Sequence, residues 1–427
     1  MSIKIKAVNS NFEREPLLRP FGFKGGYMSE IWQNVARLQS DSGISKIGLA
    51  TQNVLWSDAR VFAGFSEAAG NAIMYAITDF ALQHMCGSTF ETPIDLFDSM
   101  IDDVYDFAQN MTGDIDLRKT FVLNALVGVD NAAWLLYAAE NKLTSFADMI
   151  PKEYAMALSH RHERVASIPL MSYNVPVTEI QQAVEQGYFF MKIKIGQPGT
   201  QEEMLEKDKA RLSEIHAAIG NIQTSYTKDG KLPYYFDANG RYESRETLLQ
   251  LLDFADSIGA LDQIAIIEEP FPEEYDESVH DIPVRLAADE SAHTDADAQK
   301  RIELGYRAIA LKPIAKTLSM TLKIAKLAYI RNVPCFCADL TVNPILVDWN
   351  KNVAARLDPF PGLANMGLLE TNGHQNYKNW SAMQSHHPKA GADWMRTQSG
   401  VFHCDESFFE TSGGIFETSE HYAGLVE

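Results

Sequence analysis

The sequence predicts an α/β protein: a (β/α) barrel preceded by a separate α+β unit. Three observations carry that expectation. Between about residue 165 and residue 375, short apolar segments alternate with amphipathic ones, the texture of a parallel sheet made of βα units. The 427 residues exceed one ordinary domain and suit a large barrel plus a second unit. Finally, the charged residues of the alternating region fall at the C-terminal ends of the apolar segments, the face that holds the chemistry in barrels.

The bulk composition is that of a soluble globular protein, 46% hydrophobic and 22% charged. A formal net charge of −20 argues against nucleic-acid and anionic membrane partners. The first residues, Met-Ser-Ile-Lys-Ile-Lys, show no apolar run of signal-peptide length, and no stretch reads as a membrane span. Four cysteines make no disulfide framework. Cys335 and Cys337 alternate in an apolar segment as core thiols, and a cytoplasmic setting is expected.

Residues 1–150 read as the α+β unit. Ser2–Val8 alternates like a strand. Residues 19–27, glycine-rich and aromatic, form either a turn between strands or a mobile lid. Gln52–Asp58 is a second loop of that kind, and 66–108 and 120–141 are helical. The cluster Arg161-His162-Glu163-Arg164 reads as a solvated linker. Strands are then predicted over 168–173, 189–196, 234–237, 264–267, 284–288, 308–311, 333–338 and 367–369, with helices between them. The last residues, 376–427, leave the alternation and can return to the first unit.

Around the strand ends stand Lys192 and Lys194, Asp237, Glu268, Asp289 and Lys312. Residues i and i+2 of a strand share a face, so the first two lysines project together and call for acids opposite. Three carboxylates converging on one point need a cation among them, and oxygen-only ligands suit Mg²⁺ or Mn²⁺. A lysine near that cation and another lysine is expected to have a lowered pKa and to serve as a base. Each element alone also fits a turn, a cap or a solvated face. The set in this order is far more specific.

With those residues in hand, the chain resembles the enolase superfamily, in its mandelate racemase/muconate lactonizing enzyme branch. Lys192-Ile193-Lys194 matches the Lys-x-Lys strand, Asp237-Ala238-Asn239 the Asp-x-Asn end, Glu268-Glu269-Pro270 the Glu-x-Pro element, and Asp289-Glu290-Ser291 the Asp-Glu-Ser element. Lys312 matches the lysine of the sixth strand. The resemblance implies a modified TIM barrel of the (β/α)7β kind over 165–375, an α+β capping domain over 1–150, and a segment 376–427 that completes the cap. It implies that Asp237, Glu268 and Asp289 bind Mg²⁺ (or Mn²⁺), with Asn239 and Glu290 behind them. Lys194 and Lys312 would be the acid/base groups on the two faces of the substrate α-carbon, and Lys192 would polarise the carboxylate. Phe23, Lys24 and Trp56 on cap loops, with Asp339 and Glu370 on the last strands, would meet the substrate. Asp339 and Glu370 are equally read as buried strand-end acids.

The implied chemistry is removal of the proton α to a carboxylate through an ene-diolate. Lysines on both faces favour a racemase or epimerase of a carboxylic acid or amino-acid derivative. Dehydration of a sugar or hydroxy acid, cycloisomerisation, and a barrel that only binds metal and ligand are the alternatives. Large barrels of this sort commonly form symmetric homo-oligomers. The sequence departs from the branch after Lys312, where Pro313-Ile314-Ala315-Lys316-Thr317-Leu318 lacks the usual glycine pair. The seventh strand ends on Cys337-Ala338-Asp339 without histidine, and the eighth on Glu370-Thr371 without an Asp-x-Asp.

Overall fold

The computed structural model describes residues 2–23 and 26–427. The first unit is a four-stranded antiparallel sheet in the order β3-β2-β1-β4: β1 Ile3–Phe23, β2 Gly26–Ser40, β3 Ser45–Gln52 and β4 Thr89–Phe90. The strand predicted over 2–8 therefore runs on to Phe23, where mixed polar and apolar residues hide the alternation. The stretch predicted as lid or turn lies at the tip of the β1–β2 hairpin, where Gly22 pairs with Tyr27. Lys24 and Gly25 lie outside the described residues.

Gln52–Asp58 is not a free loop. Asn53 accepts the Trp56 N–H at 3.0 Å and caps a buried turn, α1 Val54–Ser57. Asp58 caps α2 Ala59–Gly64 in the same way. Helices α3 Glu67–Met85, α4 Pro93–Thr112 and α5 Lys119–Glu140 complete the unit. A side chain at Gly48 would come within 2.1 Å of the Gly128 carbonyl, so glycine lets α5 lie directly on β3. By length and composition α5 could cross a membrane, contrary to the sequence expectation, but 94% of that apolar window is buried inside the fold.

The barrel strands are β5 Arg164–Ile168, β6 Leu170–Met171, β7 Lys192–Lys194, β8 Tyr234–Asp237, β9 Ile264–Glu268, β10 Leu286–Ala288, β11 Ala308–Leu311, β12 Cys335–Cys337 and β13 Gly367–Glu370. They pair in parallel from β6 through β13, and β13 returns to β5. The first position of the ring is thus one strand broken at Pro169, with β5 facing β13 and β6 facing β7. Proline has no N–H for the ladder, and its carbonyl accepts the Lys192 N–H at 3.0 Å. This strand begins earlier than predicted. Arg164 opens it; of the cluster read as a solvated linker, Arg161, Glu163 and Arg164 are exposed, while His162 is 3% exposed with its Nε2 2.8 Å from the Leu357 carbonyl.

The C-terminal segment touches both units. The hairpin β14 Thr397–Gln398 and β15 Val401–His403 pairs antiparallel with the free edge of β5. Farther on, the Leu425 and Val426 carbonyls accept Asn11, Asn9 and Arg37 of the first sheet, and His421 meets Glu13 at 2.8 Å.

Candidate active site

The predicted strand-end ring converges at one small cavity: all of it but Glu268 lines the cavity, and Glu268 adjoins it through Lys192. The cavity measures about 40 Å³ at the C-terminal mouth of the barrel and is lined by Lys192, Lys194, Asp237, Asn239, Asp289, Glu290, Lys312, Asp339 and Glu370. From the cap come Asn53 and Trp56, and from the hairpin Phe21 and Met28. Lys24, expected to contact substrate, lies outside the described residues, and for Phe23 the backbone alone is described.

On one side of the ring, Lys192 and Lys194 share the Asp237 carboxylate at 2.9 and 2.6 Å. Lys192 also reaches Glu268 at 2.8 Å and Glu370 at 3.3 Å. Asn239, at φ +46°, accepts Lys194 at 2.5 Å and donates to Glu290 at 3.0 Å, which ties the Asp-x-Asn end to the Asp-Glu-Ser end. Tyr235 donates its hydroxyl to Glu268. Burial alone would lower the Lys192 ammonium, but Asp237, Glu268 and Glu370 hold it well above its ordinary value. Lys312 is likewise raised, against its burial, by Asp289. Without a cation in the cluster, acids therefore outweigh amines around Lys192 and Lys312.

Across the ring, Lys312 bonds Asp289 at 2.5 Å, and the Trp56 ring covers its ammonium with the centroid 4.3 Å away. Two residues here escaped the sequence reading. Lys316 is fully buried and donates to the Asp289 and Ala292 carbonyls at 2.6 and 3.1 Å and to the Asp289 carboxylate at 3.3 Å. Glu269 accepts the Asp289 and Ser291 N–H groups at 2.8 and 3.2 Å, and burial beside Glu290 and Glu273 pushes its carboxyl up to about 8. Thr317 adopts φ +69°, the conformation that glycine takes without strain. The backbone bend thus persists where the glycine pair is missing.

The last two strands add a carboxyl pair. Asp339 accepts the Asn372 N–H at 2.7 Å, while Glu370 accepts the Asp339 N–H at 3.0 Å. Burial and the Glu370 charge push Asp339 up to about 7. Both therefore line the cavity and are also hydrogen-bonded strand-end acids.

The acids suit a divalent cation. Glu268, Asp289 and Glu290 place carboxylate oxygens within 4.8 Å of one another, all buried. That trio differs from the expected one: Glu290 stands in it, while Asp237 is held by the two lysines. Glu290 keeps a buried Oε2 with no partner among the described residues. Burial, Asp237 and Asp289 push Glu268 far above the usual carboxylate range, which is the condition that a cation relieves. Seven buried carboxyls (Asp237, Glu268, Glu269, Asp289, Glu290, Asp339, Glu370) stand against four buried lysines (192, 194, 312, 316), an excess of acid that a dication would offset.

The comparisons fit this architecture. Residues 176–375 match the family model described as enolase C-terminal domain-like. No curated protein sequence matches the chain. Among solved structures, a mandelate racemase/muconate lactonizing protein from Herpetosiphon aurantiacus aligns with TM-score 0.65 and 16% identity, over 93% of this chain and 95% of that one. A dipeptide epimerase from Enterococcus faecalis V583, complexed with Mg and the dipeptide L-Leu-L-Tyr, gives 0.61 and 15%, over 94% and 97%. An N-succinyl Arg/Lys racemase from Bacillus cereus ATCC 14579 gives 0.62 and 18%, over 88% and 89%. At these identities the likeness is one of fold.

Proposed function

We propose that the chain is a member of the enolase superfamily, in the mandelate racemase/muconate lactonizing branch, as the match of its barrel to the enolase C-terminal domain-like family supports, and that it is an enzyme that moves the proton α to a substrate carboxylate, with racemisation or epimerisation as the net reaction. The observation that carries this is the placement of the amines. Lys194 ends β7 and Lys312 directly follows β11, four strands apart in an eight-position ring, with the acid cluster at the ends of the strands between them. A substrate carbon held over that cluster presents one face to each lysine.

Glu268, Asp289 and Glu290, with Asp237 adjoining, would hold Mg²⁺. The cation supplies positive charge for a substrate carboxylate and for the negative charge that builds on it as the α-proton leaves. Lys194 Nζ takes or returns the proton on one face and Lys312 Nζ on the other. Asn239 fixes the Lys194 amine, and Trp56 fixes the Lys312 amine from the cap. Lys192, between Glu268 and Glu370, donates to the substrate carboxylate. The cavity is small, and Trp56, Phe21 and Met28 give it an apolar wall on the cap side that would limit water at the reacting carbon.

A small carboxylic acid as partner, a homo-oligomeric state, a cytoplasmic location and the division into 1–150, 165–375 and 376–427 belong to the same proposal. The test is α-proton exchange in D₂O with Mg²⁺, followed by NMR, across dipeptides, N-acyl amino acids and sugar acids. Exchange with inversion and no loss of water is expected. A second reading rests on Asp339: a carboxyl near 7 beside the cavity can protonate a departing hydroxyl. In that case a sugar acid yields a 2-keto acid that semicarbazide traps. Silence of the whole panel with Mg²⁺ bound counts against both.

A further inference from the structure

We propose that the N-terminal mouth of the barrel, opposite the candidate active site, is a binding site for a small organic phosphate, built on Arg285 and Arg307. A groove of about 590 Å³ opens there, within the size range of ligand pockets. It lies under the roots of β8, β9, β10 and β11, whose far ends carry Asp237, Glu268, Asp289 and Lys312.

The charge in this groove runs against that of the chain. Lys228, Lys231, Arg285 and Arg307 line it, with only Asp229 and Asp262 of opposite sign, in a protein of net charge −20. Among the described residues, no ion pair joins any of these four cations to an acid. Arg307 donates to the Ile282 and Val284 carbonyls, so its guanidinium is anchored by backbone. Arg285 makes no side-chain hydrogen bond among the described residues. Its guanidinium rests on the Phe360 ring, 5.0 Å from the centroid, and is half-buried. Burial and the neighbouring Arg307 both disfavour its charge. Two guanidinium groups lining one groove without an ion-pair partner among the described residues are costly to maintain. An anion between them removes that cost.

Phosphate fits better than a single carboxylate. Its oxygens can accept from two planar forks at once, and the two lysines add charge at the rim. Pro233, Pro283, Pro361 and Leu363 give the groove an apolar wall, and its volume exceeds that of a bare phosphate ion, so an organic group has a place to lie.

The test uses the full chain with saturating Mg²⁺ and titration calorimetry in low salt, with phenyl phosphate and inorganic phosphate as probes. Phenyl phosphate is expected to bind one per chain, more tightly than inorganic phosphate and less tightly as salt rises. Arg285→Met keeps the stem over Phe360 and should weaken phenyl phosphate at least tenfold. Without ligand, the same variant should melt no lower than the parent, because the repulsion from Arg307 is gone; a purely structural arginine would lower the melt. Lys231→Ala, at the rim, should weaken binding without changing the melt. Absence of binding overturns the proposal. So does binding that survives Arg285→Met, since the anion then sits elsewhere, for instance on the lysines of the active site. Equal affinity for the two probes removes the organic part.

Discussion

Asp130 joins the capping unit to the barrel, and its ionisation should be visible in the melting curve. It lies on α5, 4% exposed, and accepts the backbone N–H and hydroxyl of Ser319 at 3.0 and 2.5 Å; Trp134 donates to the same hydroxyl at 3.1 Å. Ser319 sits in the first turn of the helix Leu318–Ile330, which follows Lys312, so this contact helps to seat the cap over the active site. Burial pushes the Asp130 carboxyl up to about 6, with the Ser319 bonds opposing. A carboxyl that is raised in the fold binds its proton more tightly than in the unfolded chain. Its contribution is therefore full below pH 3.8 and is lost as pH rises through about 6. A shift of about two units corresponds to about 3 kcal/mol. Asp130→Asn keeps a neutral side chain that can accept from the Ser319 N–H and donate to its oxygen. At pH 4.5, already above the unfolded value, about a third of the contribution is lost, so the variant should lead the parent by only about 1 kcal/mol. At pH 7.5 the variant should be the more stable by up to about 3 kcal/mol, which for 427 residues is about 3 °C in Tm. Scanning calorimetry in Mg²⁺ buffer from pH 4.5 to 8 reads the difference. A variant that melts lower than the parent at pH 7.5, or a difference that does not change with pH, refutes the reasoning.

Three further outcomes follow from the site. Lys194→Ala should abolish α-proton exchange, a loss of at least about 10³-fold, if the amine is the base proposed for its face; the variant should still fold, because Asp237 retains Lys192, and circular dichroism with NMR exchange checks both. Lys316→Met should leave the Asp289 and Ala292 carbonyls without their buried donor and cost about 2–4 kcal/mol of stability, read as a lower Tm, while Mg²⁺ binds at least as tightly because a competing cation is gone. Removing Mg²⁺ with EDTA from protein held at about 100 times its Kd should cost about 2.7 kcal/mol, recovered on adding Mg²⁺. The same titration in buffers of different ionisation enthalpy should show proton release near neutral pH, because without the cation Glu268 holds its proton far above the usual range; no release would mean that the acids are ionised before the metal arrives.

The barrel was legible because period, length and punctuation agree along it: Tyr234–Asp237 and Ala308–Leu311 are found as strands over the residues predicted. The charged strand ends were legible for the same reason, since a lysine or acid that closes an apolar segment in a barrel has one face to point to. What was missed depends on backbone turns that the pattern does not encode. Pro169 was the available sign that the first strand is broken, yet in one dimension a proline at a sheet edge and a proline at a break look alike. Lys316 stood in the sequence only as part of the run that lacks the glycine pair. It enters the site only because the turn after Lys312 closes with the Lys316 N–H on the Lys312 carbonyl at 2.7 Å, and Thr317 then takes a left-handed conformation. The missing glycines were visible, but not their consequence, that a lysine fills the space beside Asp289. Asp237 shows the converse limit. The sequence places it correctly at the ring, where it is bonded to two lysines, while Glu268, Asp289 and Glu290 bring their oxygens within 4.8 Å of one another. Strand ends can be read from order alone. Which acid holds a cation and which holds a lysine is decided by distances of about an ångström, and those come from packing.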